Sequence, residues 1–228
     1  MPAWTRARST DGAAARTART PGSAARWVKP AAVVLAALPA AKIAWDGVRG
    51  GLGANPVEAV QNRLGFWALT LLALSLAPTP AKELLGVAWP QRVRRVLGVA
   101  AFAWALAHFL FYVGLDKFFD LPVIAQDLTR RPFIMVGFAA LLLLAPLAVT
   151  STDGWVRRLG YARWKRLHRL AYVAAALAVV HFTWRVKADL RRPLLFAAVL
   201  GLLLAARVPG WIRAFRRRAA AGRTGATG

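Results

Sequence analysis

Six runs of mostly apolar residues, near 29–46, 64–80, 95–115, 132–149, 168–186 and 193–211, make up about half of this 228-residue chain. Each approaches the 20 or so residues that an α-helix needs to cross the hydrocarbon core of a bilayer. Within that core a backbone must satisfy its own polar groups, and a helix does so without partners. The runs therefore predict an all-α polytopic membrane protein, a bundle of six transmembrane helices. The first run is interrupted by Pro39 and Lys42. The proline should kink it, and the lysine can snorkel to the interface. The last run is the shortest, and spans only if Arg207 snorkels too.

The charges between the runs give the orientation. With the N-terminus in the cytoplasm, segments 1–29, 80–95, 150–169 and 207–228 carry 22 Lys and Arg, against 9 in segments 46–64, 115–131 and 185–192. The acids run the other way, 3 against 6. Cytoplasmic loops are the basic ones, and an even number of crossings returns both basic tails to one side. Trp45, Trp67, Trp89, Trp155, Trp184 and Trp211 fall near helix ends, where an aromatic belt would lie. The stretch GANPVEAVQ (53–61) sets Pro56 after Asn55 and Glu58 in a first turn, which predicts a short helix along the outer surface before the second crossing. The stretches APTPAKE and TSTDGW stop the second and fourth helices.

Composition excludes several functions. A net charge of +23 would suggest nucleic acid in a soluble chain, but 58% of the residues are hydrophobic and the charges flank membrane runs, so no nucleic-acid partner is expected. There are no cysteines, hence no disulfide, iron–sulfur cluster or thioether-linked haem. No glycine-rich nucleotide motif appears, and no nucleophile or acid–base pair marks a catalytic site. The first 27 residues, rich in Arg, Ala, Ser and Thr, resemble a transit peptide but suit a disordered cytoplasmic tail better, and lack the order of a secretory signal.

The three histidines carry the chemistry. His108 lies about 14 residues into the third crossing, roughly 21 Å from its cytoplasmic end. His181 lies 13 residues beyond His168 on the fifth, roughly 20 Å along. Two parallel crossings thus place two imidazoles at similar depth toward the outer leaflet, as needed to bind one iron from opposite faces of a haem. Ala105 and Ala101, and Ala178 and Ala174, sit at i−3 and i−7 and leave room for a macrocycle. His168 is at the cytoplasmic mouth among Lys165, Arg166 and Arg169, about 140° around an ideal helix from His181. With no fourth histidine, a second bis-histidine haem is not available. His168 is left to bind a second haem with a weaker partner, to contact a quinone or flavin, or to start a helix in a basic loop. A lone membrane histidine also serves simply as a hydrogen-bonding group between helices.

The blocks GLGANPVEAVQ, RRVLGVAAFAWALAHFLFYVGLD, RRPFIMVGFAALLLLAPLAVTSTDGWVRRLG and WKRLHRLAYVAAALAVVHFTW together resemble the MsrQ (YedZ) family. That family comprises haem-binding membrane subunits of the bacterial periplasmic methionine-sulfoxide reductase system. More broadly, the sequence resembles the ferric-reductase-like transmembrane domain. The likeness spans roughly residues 30–210. It implies a multi-pass protein of the bacterial inner membrane. Electrons would come from the quinone pool or a cytoplasmic flavin reductase and pass through haem b to a periplasmic molybdopterin enzyme that repairs oxidised envelope proteins. It implies His108, His168 and His181 as cofactor ligands, and FMN at a site that no residue here marks. Larger ferric reductases carry a fused flavin module; this sequence carries none, so a separate donor is implied. Arg130, Arg131, Arg185 and Lys187 are candidates to pair with haem propionates, or interfacial anchors.

The expected organisation is a disordered basic cytoplasmic tail (1–28), a six-helix transmembrane haem-binding domain (29–211) and a second basic cytoplasmic tail (212–228). Two competing readings are a small transporter or proton channel using histidine relays, and a scaffold that holds a partner in the membrane. The relay reading lacks the acidic residues within spans that usually accompany it.

Overall fold

The computed structural model describes residues 23–186, 188–210 and 212. Residues 1–22 and 213–228 of the two predicted tails lie outside the described residues, as do Lys187 and Trp211, whereas 23–28, expected in the disordered first tail, already form the start of α1. Ten α-helices follow one another among the described residues: α1 (Ser23–Val48), α2 (Pro56–Leu76), α3 (Pro78–Leu85), α4 (Arg94–Phe111), α5 (Leu121–Arg130), α6 (Pro132–Val149), α7 (Asp153–Leu159), α8 (Tyr161–Leu167), α9 (Leu170–Arg185) and α10 (Arg191–Ala205). No strand occurs among them. Six helical segments are long and apolar enough to cross a membrane: 27–48, 56–85, 94–116, 132–149, 161–185 and 191–210. The protein is a multi-pass membrane bundle, as the six apolar runs predict.

Its surface agrees with that solvent. Val33, Leu35, Leu142, Leu195 and Leu202 are all more than half exposed, in positions where lipid rather than water would meet them. Inside, α2 packs chiefly on α4 and α6 on α9, and contacts of α4 with α6 and of α2 with α9 join the two pairs. Helix α1 lies against α4 and α2, and α10 against α9 and α2. The core is narrow. Ala174 and Ala175 are fully buried and Ala101 nearly so, among Leu69, Leu72, Leu76, Trp104, Leu144 and Leu200. Small residues at these crossings let the backbones approach, which is the main source of packing energy between helices in lipid.

The local signals act at several helix ends. Asn55 caps α2 by accepting from the Glu58 amide (3.1 Å), and Thr152 caps α7 by accepting from Trp155 (3.3 Å). The stretch 53–61, however, is not a separate surface helix: from Pro56 it is already part of α2. Its polar residues face the mouth of a cavity instead of water alone, and Glu58 meets Arg185 of α9 (3.3 Å). Nor does APTPAKE end helical structure. The chain breaks at Ala77 and continues as α3. Helix α1 remains helical through Pro39, whose missing N–H leaves the Leu35 carbonyl without its usual donor. In the same turn, Trp104 of α4 donates its indole N–H to the Ala36 carbonyl (3.0 Å). Lys42 reaches the end of α1 and pairs with Asp46, which also receives Arg63.

Two loops carry more structure than their sequence suggests. Between α4 and α6 a π-helical turn (Tyr112–Asp116) leads to Phe118 and Phe119, both with positive φ (47° and 61°), and then to α5. Helix α5 buries Ile124 and Asp127 on one face. At the other end of the bundle, α7 and α8 fold back beneath α6, where Trp164 donates to the Thr150 carbonyl (2.8 Å). There Arg95 pairs with Asp153 and holds its carboxyl below the usual carboxylate range.

Candidate functional site

His108 and His181 meet. Their ring centroids are 6.1 Å apart with the planes at 81°. Two metal–nitrogen bonds of about 2 Å each, end to end, plus the half-width of each ring, give a separation of about 6 Å. The pair therefore stands at the spacing that a single metal with two axial imidazoles requires. These are the two residues that the count of helical depth sets at a similar level.

Each imidazole is held in the same way. His108 Nδ1 lies 2.9 Å from the Gln61 carbonyl oxygen of α2, and His181 Nδ1 lies 2.6 Å from the Phe133 carbonyl oxygen of α6. A carbonyl only accepts, so both Nδ1 atoms carry the proton and both Nε2 atoms keep a lone pair. Four residues after each carbonyl, one turn further on, stands a glycine. A Cβ on Gly65 would come 3.1 Å from His108 Cε1, and one on Gly137 would come 2.6 Å from His181 Nδ1. The first hairpin (α2, α4) and the second (α6, α9) thus repeat one device: carbonyl, glycine, histidine. The carbonyl precedes its histidine by 47 positions in one case and 48 in the other. Sequence reasoning missed Gly65, Gly137, Gln61 and Phe133. The near-equal spacing was the available signal.

The two rings border a cavity of about 820 Å³, within the size range of cofactor pockets. Its walls are apolar, with Phe66, Leu69, Leu72, Phe109, Phe138, Leu141, Leu144 and Phe182. Its mouth is charged, with Glu58, Asp116, Lys117, Arg131, Arg185, Asp189 and Arg192. This division suits a flat apolar ring bearing anionic groups on one edge. Ala105 and Ala178 line the cavity as expected, but Ala101 and Ala174 are buried in the helix core and make no room there.

Of the four predicted propionate partners, Arg131 and Arg185 line the mouth. Arg131 is paired with Asp127 (2.9 Å) and Arg185 with Glu58 (3.3 Å). Arg130 is not on the cavity wall, and Lys187 is outside the described residues. Asp127, which the sequence did not single out, is the buried hub of this rim. It accepts from the Tyr112 hydroxyl (2.9 Å) and lies 3.4 Å from Lys117 Nζ.

His168 does not line this cavity. It sits at the break between α8 and α9, not within one helix, so the angle counted from an ideal helix does not apply. Its ring packs on Trp164 at 4.0 Å between centroids, and neither ring nitrogen has a hydrogen-bond partner among the described residues although both are enclosed. No cluster of three or more His, Cys, Asp or Glu suited to a metal ion occurs among the described residues.

Residues 64–179 match the family described as ferric reductase like transmembrane component. The matched stretch contains His108 and His168 and ends two residues before His181. The chain is 54% identical over 179 residues to a protein of Rhodospirillum rubrum, covering 77% of this chain and 85% of that one. It is 50% identical over 183 residues to one of Deinococcus radiodurans (80% and 90% covered) and 42% identical over 198 residues to one of Herminiimonas arsenicoxydans (86% and 91% covered). Each of these relatives is described as the haem-binding subunit MsrQ of a protein-methionine-sulfoxide reductase.

Proposed function

This chain belongs to the ferric-reductase-like transmembrane family and, within it, to the MsrQ haem-binding subunits, and we propose that it is the electron-transfer subunit of a methionine-sulfoxide reductase system. The observation that carries the reading is the His108–His181 pair, 6.1 Å apart with each Nδ1 hydrogen-bonded to a backbone carbonyl. The donor set fits a b-type haem: two neutral imidazoles whose Nε2 atoms each keep a lone pair, no thiolate, and a glycine beside each ring.

His108 and His181 would hold the haem iron through Nε2. The carbonyls of Gln61 and Phe133 fix the tautomer and the ring planes, as outer-shell partners do for metal-bound histidine. The apolar walls would exclude water, and Arg131 and Arg185 at the mouth would be the cations available to the group's anionic substituents. When bound, the haem supplies reversible one-electron carriage, a chemistry this cysteine-free chain does not itself offer. His168 is a further cofactor-binding residue on the opposite side of the bundle, toward a second haem. Its two enclosed, unpartnered nitrogens support this, because such groups otherwise destabilise the fold.

In the bacterial inner membrane with both termini in the cytoplasm, the His108–His181 site faces the periplasmic leaflet and His168 the cytoplasmic one. The excess of basic residues at the His168 end supports this orientation. Electrons then run from the quinone pool or a cytoplasmic flavin reductase, through haem, to a periplasmic molybdopterin reductase that repairs oxidised envelope proteins. FMN rests on family resemblance alone.

The test is the haem-to-protein ratio and absorbance spectrum of the purified chain and three variants. His108→Ala and His181→Ala should each lose the low-spin b-type spectrum. His168→Ala should keep the part due to the pair. A low-spin spectrum unchanged in both of the first two variants would end the assignment.

A further inference from the structure

We propose that Gln61 is a positioning residue that competes with the haem iron for His108, making His108 the exchangeable axial ligand and His181 the permanent one. This rests on the assignment of the two histidines above and deepens it.

Gln61 touches His108 three ways. Its backbone carbonyl accepts from Nδ1 (2.9 Å), its carboxamide nitrogen donates to the His108 carbonyl (3.2 Å), and the same nitrogen lies 3.4 Å from Nε2. Because Nδ1 bears the proton, Nε2 is an acceptor and the carboxamide N–H is the donor facing it. A neutral imidazole has one such lone pair. It can bind a metal or accept this hydrogen bond, but not both.

His181 has no such competitor. The residue in the equivalent place is Phe133, whose carbonyl performs the same task but whose side chain is a phenyl ring 6.1 Å from the imidazole. Among the described residues no donor reaches His181 Nε2. The two halves of the bundle share carbonyl, glycine and histidine and differ at this side chain. Packing does not account for the glutamine. Its Oε1 is enclosed and has no hydrogen-bond partner, a cost that an apolar side chain of similar length avoids. What glutamine adds is the donor.

When the bond between iron and His108 opens, Gln61 is placed to capture the freed Nε2 and delay its return. A small ligand would then find a coordination position open on the α2/α4 side. The experiment is a carbon monoxide titration of the reduced, haem-loaded full chain in lipid nanodiscs, followed by absorbance. Gln61→Met and Gln61→Leu remove the donor, so His108 returns more readily. The half-saturating carbon monoxide concentration should rise about fivefold, the worth of one hydrogen bond. A purely structural role would change stability or haem content and leave this value alone. An unchanged half-saturation in both variants overturns the inference.

A second measurement does not depend on the glutamine variants. His108→Ala, losing the weaker ligand, should retain more haem in a high-spin form than His181→Ala; equal retention, or the reverse order, also overturns it. A wild-type chain that purifies without haem overturns the histidine assignment itself, and is thereby distinguished from a haem-loaded protein indifferent to Gln61.

Discussion

Gly137 of α6 faces His181 of α9 so closely that a Cβ there would lie 2.6 Å from the imidazole Nδ1. No side chain fits in that gap while the hydrogen bond from Nδ1 to Phe133 is kept. Gly137→Ala is therefore expected to push His181 off its carbonyl and destabilise the bundle by about 1–3 kcal/mol, the usual cost of overpacking. The low-spin haem spectrum should be lost with it. Gly65→Ala meets His108 at 3.1 Å and should have the same effect in weaker form. Gly201 of α10 is the control, since nothing lies within 4 Å of its Cβ position. There alanine should be neutral or stabilise by up to about 1 kcal/mol, as helix propensity dictates. Haem content and thermal unfolding of the three variants, measured in parallel, decide this.

The contrast between these glycines shows what a sequence can tell. Apolar run length is a local property, so six crossings and the depths of His108 and His181 follow from counting. The closeness of two helices is not local. Gly65, Gly137 and Gly201 look alike in sequence, and only the facing helix separates a cradle from a bystander. The stretch 53–61 misled for a related reason: Glu58 and Gln61 read as water-facing, but α2 turns them toward the polar mouth of a cavity inside the bundle. Helix α5 escaped notice because its buried face comes down to Ile124 and a carboxylate, Asp127, which hydropathy scores as exposed. The apolar pattern puts His168 on a helix continuous with His181, whereas the chain breaks at that residue.

Asp127 fastens α5 to the rim of the cavity. Only 6% exposed, it takes Tyr112, Arg131 and Lys117 as partners. Removing the carboxylate leaves the Tyr112 hydroxyl without its acceptor, while Arg131 is more than half exposed and Lys117 keeps Asp116, so the cost should be about 1–3 kcal/mol. Asp127→Ala should loosen residues 117–131, seen as faster amide exchange or protease cleavage there. Tyr112→Phe deletes one hydrogen bond to the same carboxylate and should cost only about 1 kcal/mol. Equal protection of the segment in wild type and Asp127→Ala would show that α5 is held by its apolar face alone.

His168 offers a test that separates chemistry from folding. Its ring packs on Trp164, and its nitrogens make no hydrogen bond among the described residues. Phenylalanine keeps the packing and removes two unsatisfied polar atoms. His168→Phe is expected to leave thermal stability in membranes unchanged or raised by about 1 kcal/mol. Any fall in total haem, or in the rate at which an added reductant reduces the haem proposed at His108 and His181, then reports a cofactor role. A stable variant with wild-type haem content and reduction rate would remove His168 from the electron path.

Arg207 is a buried cation explained by a proline more than a hundred residues earlier. The Leu76 carbonyl would accept from residue 80 in a continuous helix, but residue 80 is proline and has no N–H. Arg207 reaches across from beyond α10 and donates to that carbonyl, and to its own Leu203 carbonyl at 3.1 Å. Its guanidinium also lies over the Tyr172 ring of α9, 5.1 Å from the centroid, so one side chain ties three helices at the point where α2 breaks into α3. The residue is only 3% exposed, which corrects the expectation that it snorkels out to the interface. Arg207→Met should leave the Leu76 carbonyl buried without a partner and destabilise the protein by about 1–3 kcal/mol. Pro80→Ala in that background restores an N–H four residues after Leu76, and should recover part of the loss. Pro80→Ala with Arg207 intact should gain less, because the carbonyl is already satisfied. A double-mutant cycle on unfolding in detergent measures the difference, and additive effects would show that Arg207 and Pro80 are not linked through this carbonyl.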